Sequence, residues 1–465
     1  MRRIPRSVVA FALLAIAVAV YAQAPTMTFA LTGDSIITMK LRVHTDPQFT
    51  KMIDLIRGAD AAFTNLEMLF HDYEPYPSTQ SGGTYMRADP ALADELVWAG
   101  FDMVARANNH ANDYGVEGIR LTTKYVSKVG LVQAGVGESL REAREARFLE
   151  TDKGRVALIS TASTFPDPSR AGVSWGDTKA RPGLNPLRFT TTYVLTRQQF
   201  DSLRAALRDA RQLGGGDGGG RGRGGANAEG PVNEMTALGR HYIVGDKTET
   251  RTEPLKEDVE GMASVVRNAA KQADYVIVSS HTHEGGADRF TPPEFFVTFA
   301  HAMVDAGADM IAVSGPHVLR GVELYKGKPI LYSLGDFIFE NETLLRQPPE
   351  NYEPLGMPEG SGVGDFNDRR SNNDTTGFPA DEYIWESVIA MPKFSGKQLT
   401  ELKLYPITLG YKKPRPQRGW PMFATAELSR KILADITKFS TPYGTKIDVR
   451  DGIGVVSVGP MKSDQ

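Results

Sequence analysis

This 465-residue chain has eight histidines and no cysteine, so any metal it holds must be bound by imidazole, carboxylate or amide groups. Five short clusters carry such groups, and each follows an apolar run: Gly33-Asp34, Asn65-Leu66-Glu67, Ala107-Asn108-Asn109-His110, His281-Thr282-His283-Glu284 and Gly315-Pro316-His317. In open α/β sheets, ligands bind beyond the carboxyl ends of strands, where loops from separate strands converge. If the five ends share one rim, Asp34, Glu67, Asn109, His281, His283 and His317 can surround one or two divalent ions. Imidazole and carboxylate together suit zinc, manganese, iron or nickel. Alone, each cluster has an ordinary alternative. Gly-Asp is a common turn or cap, Asn108-Asn109 suits left-handed backbone, and along a continued strand His281 and His283 would point to opposite faces. The five occurring together favour the metal reading. His44, His71, His241 and His301 lie away from strand ends and are expected to have surface or packing roles.

The elements that must position these groups follow from hydrophobic periodicity. Strands are expected at Met27–Thr32, Ala61–Leu66, Met103–Ala107, Arg155–Ser160, Tyr275–Ser280 and Met310–Ser314. Amphipathic helices are expected at Pro47–Arg57, Pro90–Ala99, Val116–Val129, Gln198–Gln212, Lys256–Gln272 and Pro293–Ala306. Gly321–Phe339 reads as a hairpin turning at Lys326-Gly327. The alternation is that of a layered α/β domain.

Two stretches interrupt it. A glycine-rich insertion at about 214–230 offers almost no side chains to bury and is expected to be a disordered surface segment. The polar stretch 341–381 is long enough to be either disordered or a lid.

Composition excludes several classes. There are 53 basic and 56 acidic residues, a net charge of -3, so no broad cationic surface for nucleic acid is expected. Without cysteine there is no disulfide, thiolate nucleophile or lipoprotein anchor. Arg2, Arg3 and Arg6 precede an apolar run from Val8 to Val20, followed by Ala22-Gln23-Ala24. This reads as a signal peptide, residues 1–24, cleaved to leave a domain at 25–465 that is periplasmic or extracellular and has no membrane span.

Five segments resemble the CapA family of capsule and poly-γ-glutamate biosynthesis proteins, whose domain is related to calcineurin-like metallophosphatases. They are LTGDSI (Leu31–Ile36), TNLE (Thr64–Glu67), ARANNHANDYGVEGIRLT (Ala105–Thr122), SSHTHEGG (Ser279–Gly286) and the run from Gly307 to Glu340 that contains SGPHVLRG and YSLGDF. The resemblance implies a four-layer α/β/β/α sandwich of the metallophosphatase-like type with its site at the sheet edge. It also implies that Asp34 holds one metal, Glu67 bridges, Asn109 binds the second, and His281 and His317 complete the shell. His110 would stand beside the substrate as general acid or electrostatic stabiliser. Manganese, zinc and iron are the ions favoured.

The sequence departs from the family pattern at three places. Ile36 stands where the related phosphatases carry the histidine of Asp-x-His, Ser314 stands three residues before His317 where a histidine is common, and Asp336 stands where asparagine is usual. Arg87 and Arg320 are expected to contact the substrate, since either can clamp a carboxylate or phosphate. The functional expectation is an exported CapA-like protein acting on an anionic envelope polymer such as poly-γ-glutamate, by metal-assisted hydrolysis or transfer at an amide or phosphoester. A phosphodiesterase or nucleotidase on the same site is one alternative. A non-catalytic binding or export component, associated with other capsule-synthesis proteins, is the other.

Overall fold

The computed structural model describes residues 26–210 and 232–459. The expected signal peptide and the glycine-rich insertion lie outside the described residues. Among the described residues, no helix is long and apolar enough to cross a membrane.

Two large sheets carry the fold. The first has ten strands, with the neighbouring strands Glu386–Ser395, Thr26–Ile36, Ala61–Leu66, Met103–Ala105 and Val132–Ala134 at its centre and one edge. The last four of these run parallel. The second has six strands, and its parallel centre is Gly154–Ala162, Tyr275–His281, Met310–Ser314 and Lys328–Leu331. Strand alternation shows how the sheets stack, because successive side chains face opposite sides. Phe29, Leu31, Phe63 and Met103 of the first sheet share one buried cluster with Leu158, Ile277, Met310 and Ala312 of the second. The alternate residues Ala30, Ala62 and Val104 pack under Met52, Ile56 and Leu96. Ile159, Val278 and Ile311 pack under Met262, Phe296 and Phe299. The order of layers is therefore helix, sheet, sheet, helix, a mixed α/β architecture.

Local chemistry explains the element boundaries. The helix Pro47–Arg57 begins where the Asp46 carboxylate accepts from Gln48 N at 2.7 Å, with proline at the first helical position, and it buries Phe49, Met52, Ile53 and Ile56. The expected strands and helices are present with boundary changes of a few residues. The hairpin differs from expectation. Val322–Tyr325 and Lys328–Leu331 do pair about a Lys326-Gly327 turn with positive φ at both residues. The chain then leaves the second sheet, and Asp336–Phe339 adds to the first sheet parallel to Thr26–Ile36, with Asp336 level with Asp34. A small separate sheet, built from Phe189–Leu195, Glu234–Ala237, Arg240–Val244 and Glu249–Pro254, was not anticipated. Its strands are short and mostly half-exposed, so their apolar alternation is weak.

The polar stretch 341–381 is an ordered strap. It contains short helices at Pro349–Tyr352 and Val363–Ser371 and buries Leu344 and Phe366. Just before it, Glu340 is buried and accepts from Thr38 N at 2.7 Å and Met39 N at 2.8 Å, while its Oε1 has no partner. Burial pushes this carboxyl up to about 7, against the pull of those donors. A folded pKa above the unfolded one means that the group supports the fold while protonated, and that this support is lost as pH rises through about 7. Glu340→Gln keeps an acceptor for both amides. Urea melts should therefore show wild type losing on the order of 3 kcal/mol relative to the variant between about pH 5 and pH 8. Parallel stability curves would contradict this account.

Candidate metal centre

The register of the two parallel sheets brings the polar strand ends together. Asp34 pairs level with Asn65 in the first sheet and His281 with Ser314 in the second, and the layers meet there. The backbone N–H of Gly315, from the second sheet, donates to Asp34 Oδ2 at 2.8 Å. Asn65 Nδ2 donates to Asp34 Oδ1 at 2.6 Å and lies 3.1 Å from His281 Nδ1. Gly33 passes so close to Gly335 that an added Cβ would sit 1.7 Å from the Gly335 carbonyl oxygen, which accounts for glycine before Asp34.

Two groups of ligand-competent atoms result. Glu67, His281 and His283 form one, and Asp34, Glu67, His317 and Asp336 form the other; within each, one ligating atom from every residue lies within 4.8 Å of the others. Glu67 belongs to both. Its carboxylate is fully buried and neither oxygen has a hydrogen-bond partner. Asn109 Oδ1 and Asp336 Oδ2 are likewise buried without partners. An unsatisfied buried acceptor costs about 1–3 kcal/mol, so a cluster of them is unfavourable unless a cation satisfies it. The donor set of imidazoles, carboxylates and an amide oxygen fits one or two divalent ions.

The metal-free charge states divide the ligands: His281 and His283 are ready to coordinate, whereas Glu67 and His317 hold protons that a cation has to displace. Burial, then the charges of Asp34 and Asp336, raise the Glu67 carboxyl well above the ordinary range. Burial depresses His281, and depresses His283 well below its usual value with help from the neighbouring cations. Both imidazoles are thus neutral and able to coordinate. Asp34 stays low despite its burial because His281 and His317 face it. His317 is held up to about 10: burial opposes its charge, but Asp336, Glu67 and Asp34 surround it, and its Nδ1 lies 2.8 Å from Asp336 Oδ1. His317 also adopts φ 56°, a left-handed turn that costs a non-glycine residue roughly 1–2 kcal/mol and swings its ring back over Asp336.

His110 stands beside Glu67, with Nε2 3.6 Å from the same Oε1 that His281 Nε2 approaches at 3.5 Å. Its Nδ1 lies 2.7 Å from Asp113 Oδ2, and that carboxylate also accepts from Met86 N and Gly82 N. Asn109 Nδ2 donates to Gly82 O, and a Cβ at Gly82 would collide with Asn109 at 2.7 Å. Thr164 and Glu284 fix the His283 loop: Thr164 Oγ1 accepts from His283 N and donates to Glu284. Asn108 has a structural role, donating to Leu66 O and accepting from His110 N.

All seven residues expected to ligate or catalyse therefore meet at this junction. Arg87 and Arg320 do not join them. Arg87 donates to His71 O and Asp72 and stacks on Tyr73. Arg320, 1 % exposed, donates to the carbonyls of Arg289, Glu284 and His283, bracing the loop that carries His283. The expectation that they contact substrate is not met by this arrangement: neither lines the cavity onto the site, Arg87 being held by the His71 carbonyl and the Asp72 carboxylate and Arg320 by three carbonyls, with its Nη1 left buried and unpartnered. A cavity of about 290 Å³ opens onto the site, lined by Asn109, His110, His283 and His317 and by two other arginines, Arg289 and Arg370. Asp113, Asp336 and these arginines are site residues that sequence reasoning did not assign. The His110-x-x-Asp113 spacing was a usable signal; Arg370, 260 residues farther along, offered none.

The architecture is a mixed α/β domain of two stacked sheets between helices, with two groups of metal-competent side chains where the sheets meet. Residues 19–341 match the model of the bacterial capsule synthesis protein family PGA_cap, and the chain belongs to that family. It is 35 % identical over 455 residues to two uncharacterized proteins of Sinorhizobium fredii, y4sH and y4uA, covering 92 % of this chain and 92 % of each. It is 24 % identical to the capsule biosynthesis protein CapA of Bacillus anthracis, over 64 % of this chain and 55 % of that one. It is 27 % identical to the PGA biosynthesis protein CapA of Bacillus subtilis, over 61 % and 58 %. Among solved structures it is similar to the NAD nucleotidase NadN of Haemophilus influenzae, at 12 % identity and a TM-score of 0.31, covering 90 % of this chain and 56 % of that one.

Proposed function

We propose that the protein is an exported, metal-dependent hydrolase or transferase that acts on an anionic envelope polymer of the poly-γ-glutamate kind. The observation that carries this reading is Glu67, buried, unpartnered on both oxygens and common to two ligand groups. Its family membership supports the polymer, and the apolar run from Val8 to Val20 supports export.

His281, His283 and Glu67 would hold one ion, and Asp34, Asp336, His317 and Glu67 the other, with Asn109 offering its free Oδ1. Bound divalent metal would supply Lewis acidity and a water nucleophile at neutral pH. The chain's own groups do the rest. Asp113 fixes the His110 ring by accepting from Nδ1, which leaves Nε2 facing the junction to give a proton to the departing amine or alkoxide. The strap, through Phe378 packed 5.5 Å from the His317 ring, narrows the opening to water.

Ion counting on the purified mature protein, combined with hydrolysis assays on a γ-glutamyl oligomer and a chromogenic phosphodiester, tests this. One or two ions per chain and metal-dependent cleavage of either substrate are expected. A metal-free protein that cleaves neither, yet binds the oligomer, would replace the hydrolase with a polymer-binding component. Ile36 and Ser314, standing where related enzymes carry histidines, are the residues that favour that second reading.

A further inference from the structure

The strap lies beyond the family match, which ends at residue 341, and it brings a cation to the cavity that the family segment does not supply. Arg370 sits on the helix Val363–Ser371 and lines the cavity together with Asn109, His110, His283 and His317. Its Nη1 donates to Thr84 Oγ1, which lines the same cavity, and its guanidinium lies 5.4 Å from the Phe378 ring. No carboxylate among the described residues lies within ion-pair distance of Arg370. Its neighbours differ in this respect: Arg289 pairs with Asp381, Arg415 with Asp368 and Asp374, and Arg418 with Glu342 and Asp374. Those pairs tie the strap down and leave Arg370 lining the cavity without a direct ion pair; Glu342, the acid whose charge reaches it, is itself bonded to Arg418 and Arg415. Beside it, Asn341, 3 % exposed and lining the same cavity, keeps Oδ1 buried without a partner.

We propose that Arg370 is the specificity residue of this site: it receives an oxyanion of the substrate, carboxylate or phosphoryl, next to the bond presented to the metal ligands, while Asn341 Oδ1 accepts from an adjacent N–H or O–H of the same molecule. The inference rests on the reading of the cavity as a substrate site. Arginine suits the task because its planar fork binds an oxyanion through two parallel hydrogen bonds. A strap held by ion pairs keeps that fork in place before substrate arrives, which lowers the ordering cost of binding.

The test measures equilibrium binding to the full-length protein with Mn²⁺ present, for wild type, Arg370→Ala and Arg370→Lys. The probes are oligo-γ-glutamate against its α-carboxamide counterpart, and a phosphodiester against a neutral phosphotriester. Wild type should prefer one anionic probe over its neutral partner by about 10- to 100-fold, the value of a charge-assisted hydrogen-bonded contact. Arg370→Ala should abolish that preference and Arg370→Lys keep part of it. The pair that shows the effect identifies the oxyanion as carboxylate or phosphoryl. An undiminished preference in Arg370→Ala, or a wild type that prefers neither anion, overturns the proposal. Hydrolysis read in parallel separates the two claims. Cleavage with an Arg370-independent preference refutes the inference alone, and an Arg370-dependent preference without cleavage refutes only the catalytic reading.

Discussion

Replacing Glu67 with alanine is expected to strip divalent metal from both positions, because this carboxylate is the one ligand that the two groups share. Its removal leaves two histidines on one side, too few to hold an ion, and on the other a three-residue set whose affinity should fall enough to lose the ion at micromolar metal. The metal-free protein should respond in the opposite direction. In wild type without metal, Glu67 is buried beside Asp34 and Asp336 with both oxygens unpartnered, a burden expressed as its strongly raised pKa. Alanine removes that burden at the cost of a small cavity, so the apo variant should melt at or above the wild-type temperature. Metal analysis and calorimetry with and without a chelator would check both halves. Retained metal in Glu67→Ala would show that the two groups do not depend on a common ligand.

His110→Ala is expected to separate chemistry from metal holding. His110 lies 3.6 Å from Glu67 but belongs to neither ligand group, so ion content should stay near wild type. Turnover on a cleaved substrate should fall about 10²–10⁴-fold, the usual contribution of a positioned acid–base group. Asp113→Asn should lose part of this, because an amide in place of the carboxylate weakens the hydrogen bond that fixes the ring. If His110→Ala loses its metal in step with its activity, the histidine is a ligand and the assignment of roles is wrong.

The first strand, with Asp34 at its end, was legible because it is buried along nearly its whole length and reads as a continuous apolar run. The same holds for Tyr275–His281. Glu67 and His317 could be placed on the rim by the same argument. Asp336 could not, since its part depends on a chain that leaves one sheet for the other after Leu331, and hairpin periodicity does not encode that departure. In the sequence it is only a departure from the usual asparagine, whereas the fold sets it level with Asp34 as a further carboxylate. The arginines show a different limit. Arg87 and Arg320 lie near the motifs in sequence but are anchored to nearby carbonyls and, for Arg87, to Asp72, whereas Arg370 arrives through the folding of a polar stretch with no periodicity to read.

The passage of Asp336 from one sheet to the other gives the site a mechanical character. Asp34, Glu67 and Asp336 belong to the first sheet, and His281, His283 and the turn bearing His317 to the second, so each proposed ion is a rivet through both layers. Binding energy gained at either position then resists shear between the sheets and adds to the resistance of the whole domain to unfolding, growing with the logarithm of metal concentration over its dissociation constant. A protein built this way would be stiff where metal is plentiful and compliant where it is scarce, its durability set by the mineral content of its surroundings.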